Sequence, residues 1–221
     1  MGKQFFQYGE EETSYLKSRD KKMAEIIDRV GHIDRPADDD LFSSVVHHII
    51  GQQISTKAQA TIWAKLQNEL AEICAETLLA CGRDKLQSFG MTFRKADYIL
   101  DFSQKVASGE FDLDAVYKMT DEDAIAALSS LKGIGVWTAE MILLFCLQRP
   151  DIFSYGDLAI LRGLRMVYRH KEISRERFER YRKRFHPYCS TASLYLWAVA
   201  GGALSDLTDP ATTKTRKQVR T

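Results

Sequence analysis

Apolar side chains recur at intervals of three and four residues along most of the chain, which is the spacing of one face of a helix. Leu41, Val45 and Ile49 follow this spacing and predict a helix that ends near Gly51. The same pattern predicts further helices over 10–30, 55–70, 75–88 with a break at Gly82, 93–106, 113–119, 120–130, 136–147, 158–168, 175–185 and 190–200. No stretch alternates in the manner of a strand, so we expect an all-α protein.

The segment LKGIGVWTAE, residues 131–140, joins two of these predicted helices. Gly133 and Gly135 permit left-handed backbone angles and allow another chain to approach the main-chain N–H groups. Those N–H groups belong to the start of the next helix, where the dipole is positive and an anion such as a phosphate binds well. An ordinary turn between two helices explains the same residues equally well.

Asp157 follows Gly156 at the start of another predicted helix, which puts it at or beside the N-cap. The helix dipole and free N–H groups there favour an ionised carboxylate. A fixed anion suits cleavage of a bond between a sugar and a base, because positive charge develops on the sugar as the base leaves. It could stabilise that cation or align a water molecule, whereas on local sequence alone a simple helix cap is the more common role of aspartate.

Taken together, LKGIGVWTAEMILLF and the later FSYGDLAILRGL resemble the helix-hairpin-helix GPD superfamily of DNA base-excision glycosylases, most of all the 3-methyladenine DNA glycosylase II group. The likeness extends from about Leu41 to Gly202, and Lys132 stands where the family has proline. It implies a two-lobed, all-α fold with the active-site cleft between the lobes. We expect a central lobe over about 41–136, a second lobe over about 1–40 plus 137–205, and a basic tail over 206–221.

The resemblance also implies roles for single residues in the pocket. Asp157 matches the catalytic aspartate, and Trp137 and Trp197 match aromatic residues of the base pocket. Met141 falls where the family has another aromatic residue, which is a departure. An indole face attracts a cation, so such a pocket favours purines methylated at N3 or N7, which are positively charged. Either tryptophan could instead fill the core.

Further positions match the family's DNA contacts. The main chain of Gly133 and Gly135, together with Thr138, would hold phosphates of the DNA. Gln53 stands where a side chain enters the duplex to replace a flipped nucleotide, with Gln52 beside it. The family example places an apolar residue there, and a plain turn whose glutamines bond the backbone is the alternative.

Cofactor expectations also come from the resemblance. Carbonyl groups at Ser129, Leu131 and Ile134 match those that hold a structural Na⁺ or K⁺, and no other cofactor is required. Members that also cut the strand carry a lysine where this chain has Trp137, so we expect no lyase activity. The four-cysteine iron–sulfur pattern is missing, since only Cys189 falls in that region, and no iron–sulfur cluster is expected.

The net charge is only +1, but charge is unevenly distributed along the chain. From Asp157 onward there are 14 basic and 6 acidic residues, against 17 and 24 before it. A basic segment is the usual electrostatic footprint of a nucleic-acid binder, although solvated helix faces produce such runs too. We expect Arg94 and Lys95 to be exposed, either near a phosphate or simply in solvent.

The four cysteines are widely spaced, which indicates neither a disulfide framework nor a zinc site. No apolar run is long enough to span a membrane, and the polar start is unlike a secretory signal. We therefore expect no membrane partner and a location in the cytoplasm, at the nucleoid, or in the nucleus.

These observations predict a monomeric, monofunctional DNA glycosylase that removes alkylated purines such as 3-methyladenine from double-stranded DNA and leaves an abasic site. One alternative keeps the fold but changes the target to deaminated or oxidised bases. Another is a non-catalytic helix-hairpin-helix module that only binds DNA. Asp157 and the two tryptophans argue against the last, because a binder needs neither.

Overall fold

The computed structural model describes residues 4–38, 40–70 and 72–211, and these contain helices and no strand. Phe5 and Pro36 form an isolated bridge between extended residues. The all-α prediction is therefore confirmed. No helix in these three ranges has the length and apolar content needed to cross a bilayer.

The chain divides into two compact units. Unit 1 contains Gln4 and Ala37–Leu147, and unit 2 contains Phe5–Pro36 and the described residues from Gln148 onward. The helices of unit 1 are α3 (Leu41–Gly51), α4 (Thr56–Glu69), α5 (Ala75–Ser88), α6 (Phe93–Ala107), α7 (Leu113–Lys118), α8 (Asp121–Ser129) and α9 (Val136–Phe145). Those of unit 2 are α1 (Glu10–Arg19), α2 (Lys21–Val30), α10 (Leu158–Tyr168), α11 (Arg175–Phe185) and α12 (Cys189–Ala200).

This division differs from the expected one at α9. The sequence interpretation assigned residues from 137 onward to the second lobe, but α9 packs against α8 and α3 and belongs to unit 1. The reason is its composition, because Ala139 and the run Met141–Leu144 are buried and need partners on several sides. The chain passes to unit 2 after Leu147.

Several helix starts confirm the expected capping residues. Ser55, Thr120 and Ser174 each accept a hydrogen bond from the backbone N–H three residues further on. The kink predicted in α5 is also present, since Gly82 has φ 77° and ψ 169°.

The single helix expected over 10–30 was wrong. Asp20 is extended, with φ −150° and ψ 113°, and separates α1 from α2. Its Oδ1 accepts the N–H groups of Lys22 and Met23, and its Oδ2 accepts a bond from Arg184. An aspartate that caps a new helix and binds an arginine outweighs the helical periodicity around it.

In unit 2, α10 and α12 pack at very short range. Gly163 makes this approach possible, because a Cβ atom there would lie 2.4 Å from the carbonyl oxygen of Leu196. Ile160 and Leu164 of α10 join Tyr195 of α12 in the hydrophobic core of this unit. The start of α10, where Asp157 lies, is therefore held against the helix that carries Trp197.

Part of the expected basic tail is well anchored. The carboxylate of Asp209 accepts two hydrogen bonds from Arg165, at 2.9 and 2.5 Å, and Asp206 pairs with Arg29. Residues 206–211 thus pack on unit 2 through ion pairs, which corrects the expectation of a frayed tail from 206 onward. The remainder of the predicted tail, residues 212–221, lies outside the described residues.

Candidate functional site

The two glycines of the hairpin differ in what the backbone requires. Gly133 has φ +84°, and a Cβ there would lie 2.4 Å from the ring of Tyr98, so only glycine fits. Gly135 is the N-cap of α9 with φ −96°, an angle that any residue adopts. The expectation that both glycines relieve left-handed angles is therefore wrong for Gly135. A Cβ on Gly135 would meet nothing within 4 Å, which leaves open space beside the main chain.

The first turn of α9 has the properties of an anion site. Its N-terminal N–H groups have no acceptor within the helix, and Gly135 contributes no capping side chain. Val136 and Trp137, which begin the helix, are 58% and 48% exposed, whereas Thr138 is buried. The open side of this turn can therefore receive a phosphate through main-chain donors.

The turn between α3 and α4 is connected to the hairpin. The side-chain amide of Gln52 donates a hydrogen bond to the carbonyl oxygen of Gly133. Gln53 follows with φ 56° and an exposed side chain. A left-handed backbone at a residue other than glycine costs of order 1 kcal/mol or more, and such strain concentrates at functional positions. The two predicted DNA contacts thus differ, because the Gln52 amide is bonded within the protein while Gln53 projects from it.

Lys132, which replaces the family's proline, has its own partner. It forms an ion pair with Asp101 of α6, at 2.5 Å between Nζ and Oδ1. The side chain of Lys132 is 64% exposed, so the pair lies at the surface of the hairpin.

Asp157 is the N-cap of α10, as expected. Its Oδ1 accepts hydrogen bonds from the N–H groups of Ala159 and Ile160, at 2.8 and 2.9 Å. The residue is only 7% exposed. Two donated bonds stabilise a negative charge and fix the orientation of the carboxyl group. Leu158, the next residue, is 80% exposed and is the most solvent-accessible of the large apolar side chains in the described part of the chain.

The three pocket candidates differ in burial. Trp137 is half exposed in unit 1, so it does not fill the core. Trp197 is partly buried against the hydrophobic core of unit 2. Met141 is 4% exposed and lies inside unit 1. The roles assigned to all three in a base pocket stay predictions.

The candidate carbonyl groups for a monovalent cation lie around the same hairpin. The carbonyl of Leu131 accepts a bond from the N–H of Ile134 at 3.1 Å, and the hydroxyl of Ser129 is buried with no hydrogen-bond partner among the described residues. A buried hydroxyl without a hydrogen-bond partner is compatible with a bound ion, and the cation itself stays a prediction.

Two features were not foreseen from the sequence. Lys95 was expected to be exposed but is buried, and its ammonium group donates to the carbonyl oxygens of Ile50 at the end of α3 and of Gln52 just after it. Several basic residues of unit 2 form ion pairs, among them four arginines of α10 and α11. These pairs are Arg165–Asp209, Arg175–Glu179, Arg180–Glu176 and Arg184–Asp20. Three of the six basic side chains of α11 thus have acidic partners within unit 2, and these three need no phosphate to explain them.

Unit 1 also contains a cavity of about 430 Å³. Its lining includes Asp38, His47, Trp63 and Glu72, and none of the predicted site residues. Burial lowers the pKa of His47, which favours the neutral ring.

The fold is all-helical, a glycine hairpin leads into the buried helix α9, and Asp157 caps the following helix α10. This combination is typical of a helix-hairpin-helix protein. Residues 46–187 match the family model described as HhH-GPD superfamily base excision DNA repair protein. The chain belongs to this superfamily.

Individual relatives agree with this assignment. A crystal structure of DNA-3-methyladenine glycosidase from Bacillus halodurans superimposes with a TM-score of 0.80 and 30% identity, covering 94% of this chain and 96% of that one. DNA-3-methyladenine glycosylase 1 of Schizosaccharomyces pombe is 26% identical over 186 residues, which are 78% of this chain and 77% of the relative. A putative DNA-3-methyladenine glycosylase of Bacillus subtilis is 32% identical over 126 residues, 55% of this chain. That match spans only 43% of the length of the B. subtilis relative.

Proposed function

We propose that this protein is a monofunctional DNA glycosylase that flips alkylated purines such as 3-methyladenine out of double-stranded DNA and excises them by hydrolysis. The observation that carries the proposal is the buried carboxylate of Asp157, which accepts two backbone hydrogen bonds and stands where the sequence resemblance puts the catalytic aspartate. The names of the similar proteins, DNA-3-methyladenine glycosylases, support alkylated purines as the substrate class.

The reaction breaks the bond between C1′ of the sugar and the base nitrogen. Both bonding electrons leave with the base, which for a methylated purine neutralises its positive charge and makes it a good leaving group. A water molecule adds its oxygen to C1′ and loses a proton, so an abasic site remains. The carboxylate of Asp157 stabilises the positive charge on the sugar, aligns the water, or does both. Because two backbone N–H groups hold Oδ1, the charge needs no reorientation during the reaction.

Base selection relies on aromatic side chains. An indole face contributes about 0.5–2 kcal/mol toward a desolvated cation, so Trp137 and Trp197 favour a methylated purine over a neutral base. The partial exposure of Trp137 leaves part of its surface accessible to a ligand.

Flipping the nucleotide requires a few kcal/mol of unstacking, less at a damaged pair. The amides at the start of α9 hold phosphates beside the extruded nucleotide, and Gln53 fills the gap. These contacts position the DNA and do not read its sequence. A Na⁺ or K⁺ at the carbonyl groups of Ser129, Leu131 and Ile134 would support the hairpin. The enzyme acts as a monomer in the compartment that holds the DNA, cytoplasm or nucleus, and requires no iron–sulfur cluster.

Replacement of Asp157 by asparagine tests the catalytic assignment. Asparagine caps a helix as well as aspartate does, so Asp157→Asn should keep the melting temperature and the affinity for duplex DNA. Release of 3-methyladenine should fall about 100-fold or more, because the charge that stabilises the sugar cation is lost. The assay uses duplexes that each carry one defined lesion and scores free base and alkali-labile sites.

Asp112→Asn is the matched control. Asp112 caps α7, and its side chain accepts a hydrogen bond from the N–H of Ala115. This variant should release base at the wild-type rate. Undiminished release by Asp157→Asn would remove the catalytic role of Asp157. Duplex binding by the wild type with no release from any lesion would leave the non-catalytic module, and release of deaminated or oxidised bases alone would change the substrate class.

The same lesion-bearing duplexes, separated on gels with and without alkali, test the absence of lyase activity. Trp137 supplies no amine, so borohydride should trap no covalent complex with DNA, and strands should break only after alkali. Breakage without alkali would contradict the monofunctional assignment.

A further inference from the structure

Three side chains spaced by three residues on α6 contact the two turns that we propose meet DNA. Lys95 donates to carbonyl oxygens of the α3–α4 turn, the ring of Tyr98 occupies the space beside Gly133, and Asp101 pairs with Lys132. Residues three apart on a helix lie on neighbouring parts of one face. One rigid element of unit 1 therefore touches both the hairpin and the turn that carries Gln53.

The contacts of Lys95 are those of a buried clamp. The residue is 7% exposed, and its Nζ donates to the carbonyl oxygens of Ile50 at 2.8 Å and Gln52 at 2.7 Å. These carbonyl groups lie at the C-terminal end of α3, where they lack intrahelical donors and the dipole is negative. Burial lowers the pKa of Lys95, with Arg94 adding to the effect. A charge kept at a buried position implies that its hydrogen bonds matter, because a lysine is otherwise almost never fully buried.

Gln52 connects this clamp to the hairpin. Its main-chain carbonyl is held by Lys95, and its side-chain amide holds the carbonyl of Gly133. Gln53 comes next, in the left-handed region at φ 56°, and Ser55 then caps α4 by accepting the N–H of Ala58. An unfavourable backbone conformation persists only where the surrounding structure determines it, and here Gln52 is held by two hydrogen bonds on one side and Ser55 by its cap two residues on.

We infer that Lys95 is a positioning residue for DNA engagement, because its ammonium group fixes the carbonyl of Gln52 and thereby holds Gln53 at a set distance from the glycine hairpin. The inference rests on the proposed function, in which Gln53 fills the gap in the duplex. It assigns to Lys95 no contact with DNA or with the reacting atoms. Lys95 matters only when Gln53 fills the gap in an opened duplex. Excision from a single strand, which has no such gap, should therefore not depend on Lys95.

Lys95→Met tests this role, since methionine keeps the apolar stem and loses the three donors. Single-turnover excision of 3-methyladenine should fall about tenfold or more on duplex DNA, because a small displacement of a positioning group has effects of this size. The loss on a single strand with the same lesion should be much smaller. Lys105→Met is the matched control on the same helix, because it removes an exposed ion pair with Glu110 and should leave both rates unchanged.

A double-mutant cycle separates positioning from general stabilisation. Glycine adopts a left-handed angle without strain, so Gln53→Gly removes the inserted side chain while preserving the turn. If Lys95 acts through Gln53, adding Lys95→Met to Gln53→Gly should change the duplex rate little further. Equal losses on duplex and single strand, or two losses that simply multiply, would overturn the inference.

A further variant and a binding measurement test the role of Lys95 where Lys95→Met does not fold or where the wild type shows no excision. If Lys95→Met does not fold, Gln52→Leu can be used instead, because Gln52 is partly exposed and its amide holds the carbonyl of Gly133. An undiminished excision rate of Gln52→Leu on duplex DNA would refute the inference. Should the wild type excise nothing, the proposed function fails by itself. The inference is then tested by 2-aminopurine placed opposite a tetrahydrofuran abasic analogue. Its fluorescence should rise on binding of wild type and less with Lys95→Met, and an equal rise would overturn the inference.

Discussion

At the scale of single residues, Gly133 and Gly135 look alike in sequence but perform different tasks. Gly133 is fixed by the backbone, since its φ of +84° and the ring of Tyr98 exclude a side chain. Gly135 has an ordinary φ and open space around it, so the fold alone does not require glycine there. If glycine at 135 serves a purpose, that purpose is the approach of a ligand to the start of α9.

Alanine at each position separates these tasks. Gly135→Ala should change stability by less than about 1 kcal/mol, because the restriction that alanine places on the unfolded chain is offset by its poorer fit at an N-cap. It should still weaken binding to duplex DNA, since the new methyl group enters the space of the phosphate. Gly133→Ala should lower stability by about 1–3 kcal/mol. Thermal melting and fluorescence anisotropy with an abasic-analogue duplex measure both effects, and wild-type affinity in Gly135→Ala would mean that no phosphate approaches these amides.

The residues that were predicted well are those whose partners are close in sequence. Ser55, Thr120 and Asp157 bond N–H groups two or three positions away, so a capping pattern suffices to find them. Lys95 is separated by 45 residues from the carbonyl it binds on Ile50. Its burial depends on the packing of α6 beside α3, and no local pattern distinguishes it from the exposed Arg94.

At the scale of elements, the segment after α12 is fixed by charge. Asp209 is 7% exposed and receives both hydrogen bonds of the Arg165 guanidinium, which lower the pKa of its carboxyl group. Such a pair is 44 residues apart in sequence, which explains why composition alone suggested a frayed tail. The Arg165–Asp209 pair thus anchors the segment that follows α12 to α10.

The lowered pKa of Asp209 makes this anchor depend on pH. A carboxyl whose folded pKa lies below its unfolded value stabilises the fold above the unfolded value, about pH 4, and the contribution disappears as the pH falls through the folded value. Asp209→Asn should therefore lower the free energy of unfolding by about 1–3 kcal/mol at pH 7. The difference from wild type should shrink below about pH 4. Urea unfolding at several pH values measures this difference, and a difference that is constant with pH would contradict the assignment. Asp206→Asn, at the exposed pair with Arg29, is the comparison and should show a smaller dependence on pH, because solvent screens that pair.

At the scale of the whole molecule, ion pairs engage some of the basic side chains that follow Asp157, while the excess of basic over acidic residues there stays as the sequence has it. Arg175 and Arg180 of α11 pair with Glu179 and Glu176 on the same helix. The number of charges along a chain therefore overstates the number that contact DNA. Local sequence cannot reveal this, because the same run of arginines gives a binding surface or a solvated face depending on what surrounds it.

Salt dependence distinguishes these two cases. The slope of the logarithm of affinity against the logarithm of salt concentration changes by about 0.9 for each phosphate that the protein ceases to neutralise. The double variant Arg175→Gln, Arg180→Gln should keep the wild-type slope, because neither side chain serves a phosphate. Filter binding between low and moderate salt measures the slope. A slope that is shallower by about 1.8 in the double variant would mean that both arginines contact phosphates and that α11 binds DNA.

Gly163 sets a limit on how this protein can change. Any side chain at that position would collide with the Leu196 carbonyl and force the axes of α10 and α12 apart. Asp157 caps the first of these helices and Trp197 follows Leu196 on the second, so a side chain at 163 would displace the two residues relative to each other. The colliding atom belongs to the main chain, which every residue shares, so a substitution at Leu196 cannot make room for a side chain at 163.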